Sequence, residues 1–251
     1  MALTKHKVEN KRSFGLFAVI VIAAMFLIRY ILLETGTIDE MYTLEEDELC
    51  SALAAYEVAI SCLSPDAETE NAGGTILDGR KISTGDENYT LTIVTSYAAV
   101  VSAASASDSG EGTTVITVTL PDGTESEGAV IAWNESGGYA LIQCLYPEEL
   151  EVYYSRDILY RLSEEEPVYI LWNDEVLSGS APQTDVDADG IGKDLIAASL
   201  DDAQTGSGIA AGSGFYGKSG NYLGMVLDVT EDGTVYAVPG DVIMAALNAA
   251  L

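Results

Sequence analysis

The chain has 251 residues, 48% of them hydrophobic, which is ample for one large domain or two small ones. Its formal net charge is −29, unevenly spread: up to Leu33 there are five basic residues and one acid, whereas from Glu34 onward 39 acids face 6 bases. So acidic a domain repels polyanions, which excludes nucleic acid as a partner and keeps the surface solvated.

The first predicted element follows the basic N-terminus, residues 1–13. The segment SFGLFAVIVIAAMFLIRYILLETG contains twenty residues, 14–33, with Arg29 as their one charge. At about 1.5 Å per residue such a helix spans about 30 Å, the thickness of a bilayer core, and Arg29 lies near enough to its end to snorkel. Basic residues before the span and acidic ones after it predict a single-pass signal anchor in the cell membrane, N-terminus cytoplasmic and the remainder extracytoplasmic. A cleaved signal peptide would need small residues at a cut site, and IRYILLETGTIDE has none of the A-x-A kind.

Residues 34–56 read as an acidic stalk leading into a short helix, capped by Thr43 with Glu46 completing a capping box. Strands dominate thereafter: EVAISCL, GGTILDG, YTLTIVTSY, TTVITVTL, GAVIAWN, YALIQCL, PVYILWN, NYLGMVLDV and TVYAVPG, with turns at Asp122-Gly123 and Asp232-Gly233. Helical spacing returns at 241–250, with Asp241 as N-cap. Many short strands without long helices predict an all-β sandwich or barrel. Trp133, Trp172, Tyr169, Tyr222 and Tyr236 fall inside these runs, where packing is their expected role. Cys62 and Cys144 lie in apolar strands and read as buried small hydrophobes. A disulfide among Cys50, Cys62 and Cys144 is the competing reading, since the compartment permits one.

The order and content of these runs resemble the trypsin-like serine proteases, in particular the HtrA/DegP-like branch. GGTILDG resembles that family's G-S-G-x-I-I strand, and IVTSYAAVV its I-L-T-x-x-H-V-V segment. VTLPDGTESEGAVIAWNESGGYALIQC is similar to the run ending D-x-x-x-D-L-A-L-L, and EEPVYILWN to V-G-x-x-V-x-A-I-G-N. AAGSGFYGKSGNYLGMV resembles G-N-S-G-G-P-L-V-x-x-x-G-x-V-I-G-I, and VYAVPGDVIMAALNAAL the closing G-F-A-I-P-x-x-x-V-x-x-x-L-x-x-L. The resemblance covers nearly all of residues 55–251. It implies a trypsin-like double β-barrel within 57–251: barrel one about 57–147, barrel two about 148–240, then the C-terminal helix. It also implies a member without the family's PDZ module.

Carried over position by position, the resemblance puts the general-base histidine on Ala98, the orienting aspartate on Gly138 and the nucleophile on Ala211. The last is found by counting back from Gly220 and Gly224, which match the downstream glycine pair. None of the three carries a reactive group. A serine hydroxyl is a feeble nucleophile unless a base takes its proton. The sole histidine, His6, precedes the predicted span. A rearranged serine site at Ser207 or Ser213 would need a neutral lysine from among Lys81, Lys193 and Lys218. Lys218 is expected in an exposed hairpin turn and Lys193 in an acidic loop.

Two constellations remain. TDVDADGIGKD places Asp185, Asp187, Asp189 and Asp194 at a spacing that suits a weak calcium site, though Ile196 stands where a twelfth-position Glu would complete it. An acidic surface loop is the alternative, and no other cofactor is expected. The glycine-rich stretch containing Gly208, Ala210, Gly212, Ser213 and Gly214 is where the family builds its oxyanion hole, so the resemblance makes it a candidate binding groove. The expectation is a triad-less pseudoprotease that binds a peptide or protein. An active serine endopeptidase with a rearranged site, and a structural subunit assembling with itself or with an active paralogue, are the alternatives.

Overall fold

The computed structural model describes residues 19, 21–28, 44–63, 70–81, 89–101, 115–150, 152, 162, 166–172, 175–201 and 211–251. Residues 1–43 form one compact unit and 44–251 the other. Of the expected span 14–33, residues 19 and 21–28 are described; they are helical, with Met25 and Phe26 exposed. Among the described residues no helix is long and apolar enough to cross a membrane.

The second unit is built from two closed antiparallel barrels. Strands β1 (Glu57–Leu63), β2 (Glu70–Lys81), β3 (Tyr89–Ser96), β4 (Val115–Thr119), β5 (Glu125–Asn134) and β6 (Tyr139–Tyr146) close in the order β1-β2-β3-β6-β5-β4. Strands β7 (Val168–Trp172), β8 (Glu175–Ala188), β9 (Gly192–Leu200), β10 (Gly214–Gly217), β11 (Tyr222–Val229) and β12 (Thr234–Pro239) close as β10-β11-β12-β9-β8-β7. Alternation decides what each barrel encloses. On β1, for instance, Val58, Ile60 and Cys62 point inward to meet Ile76, Leu91, Ile93, Ile116 and Ile142. Barrel two is filled by Val168, Ile170, Ile196, Phe215, Val226 and Val235.

A third cluster lies between the barrels. Leu77, Val94, Tyr139 and Leu141 of barrel one meet Leu195, Met225 and Val238 of barrel two, and helix α2 (Gly240–Ala250) closes it with Ile243 and Leu247. A strand shared by a barrel interior and this seam is covered on both faces, so β3 is buried without interruption from Leu91 to Ser96, its threonines and serine included.

The helical caps differ from those expected. Helix α1 (Glu46–Leu53) begins one residue before Glu46 at Glu45, whose backbone N–H donates to Glu48 Oε2 at 3.2 Å; Thr43 lies outside the described residues. The helix belongs to the folded unit and not to a stalk, because Leu49 and Leu53 bury themselves against Leu171 and Tyr216. Helix α2 is entered from Pro239, with Asp241 in its first turn, as suits proline's fixed φ. Among the described residues Cys50, Cys62 and Cys144 form no disulfide. Cys62 and Cys144 lie on β1 and β6, opposite one another in the six-strand ring, and both belong to the core of barrel one. Burial pushes the Cys144 thiol up to about 11.

The glycines singled out in the sequence have distinct causes. Gly220 turns the β10–β11 hairpin at φ +73°, whereas a Cβ on Gly224 would lie 2.1 Å from the Val238 carbonyl oxygen. Gly123 has φ +82° and open space around it. Gly224→Ala must push β11 off β12 and is expected to lose about 3 kcal/mol, while Gly123→Ala loses about 1 kcal/mol for its left-handed backbone alone. Urea denaturation of the two variants distinguishes a close backbone approach from turn strain.

Candidate functional site

Backbone hydrogen bonds tie barrel one to the segment 211–214 that leads into β10. Gly73 N–H donates to the Ala211 carbonyl at 3.1 Å, and the Gly73 carbonyl accepts from Thr95 Oγ1 at 2.7 Å. Gly212 N–H donates to the Val226 carbonyl at 2.8 Å, and Val226 N–H returns a bond to Ser213 at 2.8 Å. The approach is so close that a Cβ on Gly212 would lie 2.1 Å from the Gly73 oxygen. Two residues beyond Thr95, Tyr97 N–H donates to the Gly138 carbonyl at 2.9 Å, joining the turn after β5 to the helical turn 97–101 after β3.

Ala98, Gly138 and Ala211 therefore border one seam, linked through Gly73, Thr95 and Tyr97. Ala98 is exposed and Ala211 half-buried. Gly138 has φ +70°, and a Cβ there would lie 2.5 Å from Leu227 Cδ1. An apolar side chain of barrel two thus occupies the space beside this position.

A second polar feature crosses the same seam. Glu57, at the start of β1, accepts from Thr75 Oγ1 at 3.0 Å, from Gly214 N–H at 3.2 Å and from Tyr216 Oη at 2.5 Å. Burial outweighs these three donors and pushes its carboxyl up to about 7. Tyr222 packs edge-on against Tyr216 with centroids 5.8 Å apart; burial, and then the Glu57 charge, hold its hydroxyl well above the ordinary phenol range.

No protein-family model and no curated protein matches the chain. Solved structures do. Deg5 is 17% identical, with a TM-score of 0.56 over 80% of this chain and 94% of that one. A variant of AlgW, an HtrA-type protease with a tripeptide, is 13% identical, with a TM-score of 0.58 over 82% of this chain and 63% of that one. The fold is trypsin-like, of the HtrA kind.

Within that fold the sequence-derived residues separate into groups. Ser207, Gly208, Ala210 and His6 lie outside the described residues. Gly212, Ser213 and Gly214 are buried in the seam. Ser213 is fully buried, its Oγ without a hydrogen-bond partner among the described residues and close against Gly73. Lys218 is half-buried, not exposed as expected, because the hairpin turn is held down by Leu44 N–H on its carbonyl; its Nζ lies 3.9 Å from Glu166. Lys193 is exposed on β9.

The four aspartates lie in the β8–β9 hairpin. Asp185 and Asp187 lie on β8, Asp189 in the turn and Asp194 on β9, where its N–H donates to Asp187 Oδ1 at 3.2 Å. The ladder is irregular there: Asp185 and Asp194 both have left-handed backbone, with φ 57° and 52°. Among the described residues no three carboxylates stand together as a metal group. Of the aromatics, Trp133 is exposed on β5 and Tyr222 joins the seam.

Sequence reasoning missed Glu57. Its only signal is an acid at the head of an otherwise apolar strand. Ser213, by contrast, was singled out for reactivity, and its placement argues packing. Ser213→Ala removes a buried hydroxyl with no partner among the described residues, so it is expected to leave stability unchanged or raise it by about 1 kcal/mol. A thermal melt that falls by several degrees instead would show that the hydroxyl makes a bond that matters.

Proposed function

We propose that this protein is a trypsin-fold pseudoprotease: a membrane-anchored, extracytoplasmic module that holds a peptide or protein ligand without cutting it. The observation that carries this reading is that the seam keeps its backbone frame while Ala98, Gly138 and Ala211 supply no base, no orienting carboxylate and no nucleophile. The only imidazole is His6, on the far side of the predicted span. Proton transfer from a serine hydroxyl to histidine is then unattainable. The burial of Ser213 and the Lys218–Glu166 pair argue further against a serine–lysine substitute.

Binding needs less than catalysis does. Strand β10 pairs with β11 only from Tyr222 to Met225, and Val226 is engaged by Gly212 and Ser213. Beyond it, Asp228 and Val229 pair with β12 on one side, Leu227 forming the bulge before them, and among the described residues no strand pairs with the other side. An extended peptide added there gains main-chain hydrogen bonds beside Gly138 and Leu227 without any catalytic group. The anchor follows from hydropathy and charge asymmetry and is independent of the fold.

Full-length protein in detergent micelles is expected to bind a permanently unfolded polypeptide, such as reduced and carboxymethylated lactalbumin, and to leave it intact over a day. It is expected to take up no fluorophosphonate. Stoichiometric labelling, or cleavage abolished by changing Ser207 or Ser213 alone, would replace this reading with an active rearranged protease.

A further inference from the structure

Glu57 is an ionisable side chain with hydrogen-bond partners on both barrels, and the proposed function makes no use of it. Glu57 is half-buried, and the hydrogen-bond donors it meets among the described residues are neutral. From β2 it meets the Thr75 hydroxyl, from β10 the Gly214 amide and the Tyr216 hydroxyl, and from β11 it faces the Tyr222 phenol. Helix α1 packs Leu49 and Leu53 on Tyr216, while its acids Glu45, Glu46, Asp47 and Glu48 remain exposed. Among the described residues no lysine or arginine forms an ion pair with Glu57.

Geometry gives the carboxyl two acceptor ends with different duties. Oε1 receives the two hydroxyls, Thr75 and Tyr216, which can rotate; Oε2 receives the fixed Gly214 amide. A proton is therefore accommodated on Oε1 by turning a hydroxyl so that it accepts, with the Gly214 bond kept. An ionised carboxylate retains all three donors but has no counter-charge, and its hydration is unfavourable to give up.

We propose that Glu57 is a proton-operated clasp between the barrels. Protonated, it holds the segment 211–214 and β10 sealed against barrel one; ionised, it draws water into the seam and loosens that segment. The clasp acts on the stretch that borders Ala211, so acidity would set how firmly this side of the site is held. It does not depend on whether a ligand binds there.

The sign follows from linkage. The folded carboxyl holds its proton up to about pH 7, whereas in the unfolded chain it releases it near 4.5. The folded state thus binds more protons between those values. The stabilisation is complete below about pH 4.5 and is lost as pH rises through about 7. Glu57→Gln imitates the neutral form at every pH, so the difference between variant and wild type isolates this one group from the other carboxylates.

The test is urea denaturation of the full chain in micelles, wild type against Glu57→Gln, from pH 4.5 to 8.5. The variant is expected to gain on the wild type as pH rises, by on the order of a hundredfold in the folding constant, with most of the change complete by about pH 7.5. A difference that stays flat across that range overturns the clasp. Should the variant not fold, the carboxyl carbon of Glu57 in the wild type is followed by NMR. A midpoint near 7 that moves higher in Tyr216→Phe supports the proposal, and a midpoint near 4.5 overturns it. Amide exchange gives an independent readout: protection at Gly214 and Tyr216 is expected to fall above pH 7 relative to Val235 within barrel two. Equal protection at all three across the range counts against it.

Discussion

The near-contact between two stretches of bare backbone governs the rest of this structure. Gly73 on β2 and Gly212 before β10 approach so closely that neither tolerates a side chain: a Cβ on Gly73 would meet Ser213 Oγ at 2.5 Å, and one on Gly212 the Gly73 oxygen at 2.1 Å. This approach makes the bond from Gly73 to Ala211 available and fixes the offset of one barrel against the other. Once that offset is set, Leu77, Val94 and Leu141 meet Met225 and Val238, and α2 closes the remaining apolar edge with Ile243 and Leu247. Close packing then transmits the constraint across the seam, because interiors of this density do not deform gradually.

None of these interactions requires a reactive side chain. The frame that brings Ala98, Gly138 and Ala211 to one seam is made of main-chain bonds, buried threonine and aliphatic contacts. A fold of this kind is stable whether or not catalytic groups occupy it, which is why fold and activity separate. The contact between Leu227 and Gly138 illustrates the point. Where the family resemblance puts an orienting carboxylate, the chain has glycine, and an apolar side chain from barrel two lies where a Cβ would have been.

Electrostatics divides along the same line between surface and seam. In the exposed turns, Asp122 accepts from the Thr124 N–H, and Asp232 from the Thr230 hydroxyl and then the Thr234 N–H, and those bonds hold their carboxyls below the ordinary range. Glu57 also accepts three hydrogen bonds, yet its carboxyl moves the opposite way because burial penalises its charge more than the donors relieve it. The excess of acid lies outside, where it keeps the surface solvated, whereas Glu57 meets neutral donors within the seam.

Much of the architecture was legible before any coordinates. Strands with β-branched alternation, such as β1, β4 and β6, announced themselves, and the aspartyl-glycine turns bounded the hairpins that follow β4 and β11. Strands β8, β9 and β10 did not. The first carries glycine, a buried Pro182 and a ladder to β9 broken at three points; β9 is alanine-rich; β10 is four residues, two of them glycine. Their pairing is imposed by barrel closure, because no local preference specifies it. Composition and residue inventory by themselves determined the apolar N-terminal run, the acidic exterior and the want of a histidine beyond it, since these depend on what is present and not on where it lies. Only the tertiary structure decided that Ser213 is interior, that four aspartates lie in one hairpin, and that Glu57 bridges two barrels. Burial and contact between residues more than 150 positions apart are properties of the folded arrangement, which a linear pattern does not encode.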